Sequence, residues 1–249
     1  MICEILKDRK QVGINAAELI ARRINLAIAE YGEARILLST GASQFEMFEQ
    51  LNREPVDWTR VTMFHLDEYM GLSAEHPASF RKYLMERFIY TLPIPLKEAN
   101  LISGEGSPEE VAERMADLSA KFREKPVDVG VIGIGENGHI AFNDPPADFE
   151  TEEVYITVNL DDRCKAQQVR EKWFASLDEV PSQAITMAPK AIMTCRTIIS
   201  VVPSQVKAEA VKKTFTSPVT PTIPATLLKT HPDWTLILDT ESASLVYAS

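Results

Sequence analysis

The chain has 249 residues, 45% of them hydrophobic, which is enough for one large or two small domains with a buried core. Its 26 basic and 36 acidic residues give a formal net charge of −10. This balance argues against nucleic acid or an anionic membrane surface as a partner, because no basic excess exists to neutralise a row of phosphates. A local basic pocket for one phosphate is still compatible with it.

Cysteine usage and the N-terminal segment bear on the cellular compartment. The three cysteines, Cys3, Cys164 and Cys195, lack CxxC spacing, which is typical of reduced thiols in a cytoplasmic protein. The first residues soon become charged, so we expect neither a signal peptide nor a membrane anchor. No apolar run approaches the length of a membrane span, and no spacing typical of a metal site occurs. We therefore expect no metal.

Apolar runs typical of buried strands alternate along the chain with segments of helical apolar spacing. The predicted helices and strands, in chain order, are helix 12–31, strand 35–39, helix 43–51, strand 61–66, helix 79–90, helix 108–122, strand 127–133, strand 155–160, helix 163–174, strand 197–203, helix 207–215 and strand 234–239. This alternation predicts an α/β fold with a mostly parallel sheet and helices on both of its faces. No repeat, linker or low-complexity tract interrupts residues 1–249, which we interpret as one domain.

The first of these strands ends in Ser39-Thr40-Gly41-Ala42-Ser43, immediately before a helix. Ligands of parallel sheets bind at the carboxyl ends of the strands, and small residues before a helix start can form an anion site. The alternative is an ordinary turn in which Ser43 caps the helix.

The second strand ends in Phe64-His65-Leu66-Asp67-Glu68-Tyr69. Two acids after an apolar strand favour a carboxylate at the mouth of a cleft, where it could act as a general base. The alternative is a solvated loop with one acid capping the next helix.

The third strand leads into a turn that contains glycines 133, 135 and 138 around His139. Asn137 and Asp144 flank this histidine, and an acid partner can orient a histidine that moves protons near neutral pH. We favour a catalytic histidine over one that only makes a structural hydrogen bond. The glycine spacing does not match a dinucleotide-binding fingerprint.

At these residues the sequence resembles the glucosamine-6-phosphate deaminase/isomerase family, a relative of the 6-phosphogluconolactonases. The resemblance rests on two motifs in register, and the similarity extends over nearly the whole chain. The motifs are GIGENGHIAFN at residues 133–143, and LDEYMGL at residues 66–72 followed by HPASF at residues 76–80.

The resemblance implies a Rossmann-like three-layer α/β/α sandwich that converts glucosamine 6-phosphate to fructose 6-phosphate and ammonia without a metal or redox cofactor. It implies that Asp67 moves a proton between C2 and C1, and that His139 opens the sugar ring. Asn137 and Asp144 match the residues that orient the histidine, and Lys207 matches a phosphate-binding lysine. The substrate-binding residues implied are Ser39, Thr40, Gly41, Ala42, Ser43, Glu68 and Lys207.

Some positions depart from the family pattern. Asn137 stands where some members have aspartate, Asp144 where glutamate is usual, and Ala42 where glycine is frequent. The segment 163–174 also differs, although in the family it covers the substrate and supplies a basic contact. Arg163, Arg170 and Lys172 are all candidates for that contact.

Three alternatives stay open beside the glucosamine 6-phosphate assignment. One is a galactosamine-6-phosphate deaminase/isomerase, because the two substrates differ in one hydroxyl direction. Another is a 6-phosphogluconolactonase, although those enzymes usually carry Asp-Glu-Arg where this chain has Asp67-Glu68-Tyr69. The last is a non-catalytic sugar-phosphate sensor. The expected partner is a small amino-sugar phosphate, and the chain is expected to be cytoplasmic, with a homo-oligomer compatible with the family.

Overall fold

The structure is a computed structural model that describes residues 1–246, with the side chain of Arg163 excluded. The strands within this range are β1 (Ile2–Leu6), β2 (Ala34–Leu38), β3 (Val61–His65), β4 (Asp67–Tyr69), β5 (Glu98–Asn100), β6 (Val129–Val131), β7 (Tyr155–Asn159), β8 (Gln183–Met187), β9 (Thr197–Val202) and β10 (Trp234–Asp239). The α-helices are α1 (Arg9–Tyr31), α2 (Phe45–Leu51), α3 (Phe80–Arg87), α4 (Pro108–Glu124), α5 (Asp162–Arg170), α6 (Pro189–Ile192) and α7 (Ala208–Thr216).

Seven strands form one sheet in the order β1-β10-β9-β6-β2-β3-β5, and every pairing in it is parallel. The chain proceeds from β2 to β3 and β5 on one side, then returns to β6 and continues to β9 and β10 on the other. The strand order therefore reverses beside β2 and β6, which is the position where open α/β sheets bind ligands.

Helices cover both faces of this sheet, as the alternation of side chains along β2 shows. Ile36 and Leu38 pack in one core with residues of α1, α2 and α3, while Leu37 packs in a second core with residues of α4 and α7. Successive strand residues point to opposite faces, so a strand covered on both sides needs a continuous apolar run. The predicted mostly parallel α/β architecture is confirmed.

Several helices begin where the sequence supplies an N-cap acceptor. Asp8, Ser79 and Asp161 accept from the backbone N–H three residues later, at the starts of α1, α3 and α5. Ser107 forms a reciprocal capping box with Glu110 at the start of α4. Each cap satisfies an amide that has no partner within its helix.

A second, three-stranded antiparallel sheet, β4-β8-β7, lies outside the sheet predicted from the sequence. The segment 155–160 was predicted as a buried strand, but in β7 only Tyr155 is buried, the following residues alternate between partly exposed and exposed, and the strand pairs with β8. The strands β1, β4, β5 and β8 were not predicted. Three of them have only three residues or lie at a sheet edge, so their local apolar signal is weak.

Candidate active site

A cleft opens at the carboxyl ends of four neighbouring strands, β9, β6, β2 and β3. It encloses about 650 Å³ of empty space, counting the part that is open to solvent at its mouth. The first turn after β2, the end of β3, the glycine turn after β6 and the helical turn after β9 all line it. The three sequence segments singled out above therefore meet in one place.

The turn after β2 carries the predicted anion site, and all of residues 39–43 line the cleft. Gly41 has φ +100°, a conformation that side chains with a Cβ rarely adopt, and its carbonyl accepts a hydrogen bond of 2.9 Å from the Tyr83 hydroxyl. A short helical turn, residues Ala42–Gln44, follows and leads into α2. Ser43 does not cap α2, because the N-cap residue is Gln44.

Ser39 supplies a buried hydroxyl at the floor of this turn. The residue is 4% exposed, and within residues 1–246 its Oγ has no hydrogen-bond partner. A buried polar atom without a partner costs free energy, so a polar ligand in the cleft would offset that cost.

Lys207 follows the carboxyl end of β9, in a helical turn that leads into α7. Ser204, at φ +85°, redirects the chain there, and its backbone N–H donates to the Asp239 carboxylate at 2.8 Å. Lys207 is only 7% exposed, and no ion pair involving it occurs in the described part of the chain. Burial lowers the pKa of Lys207, while the charges of Glu171 and Glu136 oppose that shift. A buried ammonium in this state favours an anionic ligand.

Asp67 begins β4 and lines the cleft, with 6% of its surface exposed. Burial, followed by the negative charge of Glu68, raises the pKa of Asp67 from 3.8 to about 8. A carboxyl group whose pKa lies near neutrality is suited to take up and return a proton.

Glu68 does not line the cleft, contrary to its predicted place among the substrate-binding residues. Its carboxylate is fully buried and accepts hydrogen bonds from the backbone N–H groups of Tyr69, Phe80 and Arg81 and from the Ser79 hydroxyl. Burial raises the pKa of Glu68 and these four hydrogen bonds oppose the rise. Side chains alternate along a strand, so Glu68 points away from the side on which Asp67 meets the cleft.

The glycine turn after β6 holds His139 against the backbone. The His139 carbonyl accepts from the Gly135 N–H at 2.8 Å, and the Gly138 N–H donates to the Gly135 carbonyl at 3.0 Å. A Cβ atom at Gly135 would lie 2.1 Å from His139 Nε2, so only glycine leaves room for the ring. The position of the histidine thus depends on a residue four positions earlier.

Asp144 and Asn137 lie beside His139. Its Nδ1 lies 3.2 Å from Asp144 Oδ1, and Asn137 Nδ2 donates to the same oxygen at 3.0 Å. The side-chain oxygen of Asn137 also accepts from the His139 backbone N–H at 3.0 Å. Burial tends to raise the pKa of Asp144, but hydrogen bonds and the charge of His139, with Asn137 and Cys164, hold it below its usual value. Neither Asn137 nor Asp144 lines the cleft itself.

Helix α5 and the residues after it, a segment we call the strap (residues 162–173), form one wall of the cleft. The strap contributes Gln167, Gln168, Glu171 and Trp173, none of which was predicted as a site residue. Gln168 accepts a 2.8 Å hydrogen bond from the Tyr69 hydroxyl, and Glu171 accepts from Gln167 and Trp173. Gln167 and Gln168 are less than 10% exposed, whereas the sequence showed only two adjacent glutamines in a polar helical segment.

The basic residues of the strap take other positions. Arg170 is exposed and pairs with Glu136 at the rim, and Lys172 lines a separate surface hollow beside His76 and Pro77. The side chain of Arg163 lies outside the described part of the chain. Among the described strap residues, those that face the cleft are neutral or acidic.

Residues 1–246, apart from the Arg163 side chain, hold no group of three or more His, Cys, Asp or Glu residues placed to bind a metal ion. In the same range, no helix combines the length and the apolar character needed to cross a membrane.

The fold and the cleft define an α/β protein in which the turn after β2, the buried Asp67 and the His139 ring beside the Asp144 carboxylate come together at one cleft. The chain belongs to the family described as glucosamine-6-phosphate isomerases/6-phosphogluconolactonase, whose profile matches residues 7–237. The family predicted from the two sequence motifs is therefore confirmed.

Relatives and solved structures agree with this membership. A glucosamine-6-phosphate deaminase of Lactobacillus delbrueckii subsp. bulgaricus is 34% identical over 97% of this chain and 98% of its own length. One of Streptococcus pneumoniae serotype 4 is 35% identical over 86% of this chain and 89% of its own length. A monomeric glucosamine-6-phosphate deaminase matches with a TM-score of 0.89 and 28% identity, covering 98% of this chain and 100% of that one. A 6-phosphogluconolactonase from Thermotoga maritima shares the fold, with a TM-score of 0.78 and 15% identity. The match covers 96% of this chain and 99% of that one.

Proposed function

We propose that this protein is an amino-sugar-phosphate deaminase that converts glucosamine 6-phosphate to fructose 6-phosphate and ammonia. The main support is that a single cleft holds both the acid–base groups and the anion site. Asp67, with a pKa near neutrality, and His139, beside Asp144, are the acid–base groups. Residues 39–43 and Lys207 form the anion site. The names of the relatives above 30% identity support the same reaction.

The phosphate of the substrate binds between the turn after β2 and Lys207. Amides at the start of a helical turn have no acceptor within it, and they attract an anion together with the local dipole. The Lys207 ammonium supplies a compensating charge, and the Ser39 hydroxyl a further donor. Binding at this end places the sugar carbons toward Asp67 and His139.

His139 acts on the closed sugar by transferring a proton at the ring oxygen. Cleavage of the C1–O5 bond needs a proton delivered to O5 and one removed from the C1 hydroxyl, which yields the open-chain aldehyde. The imidazole can do this because Asp144 orients the ring through Nδ1 and leaves Nε2 for the substrate.

Asp67 then acts on the carbon skeleton. The ionised carboxylate removes the proton from C2, next to the C1 aldehyde, while the C1 oxygen takes up a proton that the ammonium group at C2 releases, and the resulting enol accepts a proton at C1 from Asp67. The nitrogen substituent is left as an iminium at C2. Addition of water there and loss of ammonia give the 2-ketose, so no redox change of the protein is needed.

The deciding experiment is a parallel assay with three substrates. Glucosamine 6-phosphate, galactosamine 6-phosphate and 6-phosphogluconolactone are each incubated with the full chain, and ammonia and ketose phosphate are measured separately from lactone hydrolysis. We expect ammonia and fructose 6-phosphate in equal amounts from the first substrate. Lactone hydrolysis alone would overturn the proposal, and binding without turnover of any substrate would favour a sensor.

We also propose a cytoplasmic location, supported by three cysteines that are all free thiols. Cell fractionation tests it. A homo-oligomer stays a prediction that light scattering on the purified chain would decide.

A further inference from the structure

The two carboxylate oxygens of Asp144 differ in their hydrogen bonding. Oδ1 accepts from Asn137 and faces His139, whereas Oδ2 is buried and, within residues 1–246, lacks a partner in strict hydrogen-bond geometry. The side chain is only 10% exposed, so water is largely kept away from it. An ionised carboxylate oxygen in this position needs a donor.

Besides Asn137 and His139, the thiol of Cys164, on the first turn of α5, interacts with this carboxylate. Cys164 is 1% exposed and lies in an apolar cluster that contains Tyr69 and Phe142. The start of the helix holds it in place, because the Asp161 carboxylate accepts from the Cys164 N–H at 2.7 Å. Its side chain interacts with Asp144, and Asp161 and Asp67 are further charges near the thiol.

The protonation state of Cys164 agrees with a donor role. A helix N-terminus usually lowers the pKa of a cysteine thiol and makes it reactive. Here burial, followed by the charge of Asp144, raises the pKa of the Cys164 thiol instead. The group therefore keeps its hydrogen at physiological pH and can donate it, although a thiol is a weak donor.

We propose that Cys164 is a positioning residue, whose S–H donates to Asp144 Oδ2 and thereby holds the Asp144 carboxylate at His139. The inference rests on the proposed function for its effect on turnover. The Cys164–Asp144 hydrogen bond would also connect the strap to the histidine turn, because the helix that carries Cys164 places Gln167 and Gln168 in the cleft one turn later. Cys164 itself does not line the cleft, so it should influence turnover more than substrate binding.

The first test uses infrared spectra of the full chain without substrate. Cys164→Ser assigns the S–H stretching band of Cys164 among the three thiols. Asp144→Asn should shift that band toward the position of a weaker hydrogen bond, because an amide oxygen is a poorer acceptor than a carboxylate. A band that does not move in Asp144→Asn would overturn the proposal. This measurement needs no activity, so its failure is distinct from failure of the proposed deaminase reaction.

The second test separates positioning from packing by steady-state kinetics. Cys164→Ala should lower kcat about three- to tenfold and leave KM within about twofold, whereas Cys164→Ser, which keeps a donor, should recover most of kcat. Cys195→Ala, at a buried thiol outside the cleft, is the matched control and should keep both constants. The assigned role would be contradicted if Cys164→Ser lost as much kcat as Cys164→Ala. It would also be contradicted if Cys195→Ala lost as much kcat as Cys164→Ala.

Discussion

Asp67 and Glu68 are neighbours in the chain, yet their carboxylates lie in two different environments. Asp67 lines the cleft, while Glu68 is fully buried and accepts four hydrogen bonds, three of them from the start of α3. The strand β4 separates them because consecutive side chains point to opposite faces. Glu68 thus fixes the backbone that carries Asp67, and its charge helps to keep the pKa of Asp67 high.

Removal of the Asp67 carboxylate should abolish the carbon chemistry and spare phosphate binding. We expect Asp67→Asn to lower kcat by at least about 10³-fold, because general-base catalysis contributes on the order of 10²–10⁴. NMR in deuterated water tests the step directly. Wild type should introduce solvent deuterium at C1 of the product or at C2 of the substrate, and the variant should do neither. Undiminished exchange in Asp67→Asn would assign the base to another group.

The same substitution should make the protein more stable. The pKa of Asp67 is raised from 3.8 to about 8 in the folded chain. Between these two pH values Asp67 is therefore ionised in the unfolded chain and protonated in the folded chain. The free energies of unfolding of Asp67→Asn and wild type should be similar below about pH 4. The advantage of the variant should grow as pH rises toward about 8 and then level off at several kcal/mol, since each unit of pKa shift corresponds to about 1.4 kcal/mol. Denaturant titrations at several pH values measure it, and an advantage independent of pH would contradict the raised pKa.

His139 should be needed for the closed form of the substrate more than for binding. We expect His139→Gln to lower kcat on the cyclic sugar by about 10²–10³-fold, because the proton at O5 loses its carrier. The affinity for a non-reactive sugar-phosphate analogue, measured by calorimetry, should stay within about threefold of wild type. Normal turnover of the cyclic substrate by the variant would place ring opening elsewhere.

Gly135 offers a steric test of the histidine position. The methyl group of Gly135→Ala would lie 2.1 Å from His139 Nε2, so the ring has to move, and kcat should fall about 10–100-fold. Gly133→Ala is the matched comparison, because its methyl would meet its nearest neighbour, Gln44 Nε2, at 3.5 Å. We expect a much smaller loss there. Equal kcat values for the two variants would show that the close approach at Gly135 does not position the ring.

Lys207 should contribute to affinity through the phosphate. Lys207→Ala should weaken substrate binding by about 1.5–3 kcal/mol, as for a lost hydrogen bond to a charged group. The effect should disappear for unphosphorylated glucosamine, which lacks the anion. Lys213→Ala, at an exposed lysine of α7, is the control and should leave KM unchanged. If unphosphorylated glucosamine turned over as well as its 6-phosphate, the anion site would have another role.

Much of the cleft was predictable because its parts follow strongly apolar strands. β2, β3, β6 and β9 are buried along their whole length, and their apolar runs identify them without knowledge of the fold. Parallel strands bring their carboxyl ends to one edge, so the turn 39–43, Asp67 and His139 were expected to meet there, and the family resemblance added Lys207. The glycines around His139 carried a local signal of their own.

The sequence by itself thus determined the parallel α/β core and the residues placed at its strand ends, because these depend on local apolar patterns. Only the tertiary structure decided that Asp67 and not Glu68 faces the cleft, since β4 is a strand only through its pairing with β8, more than a hundred residues later. It also decided that the strap brings Gln167, Gln168 and Glu171 to the cleft and Cys164 to Asp144. Contacts between segments far apart in the chain are set by packing, and no spacing in a single sequence encodes them.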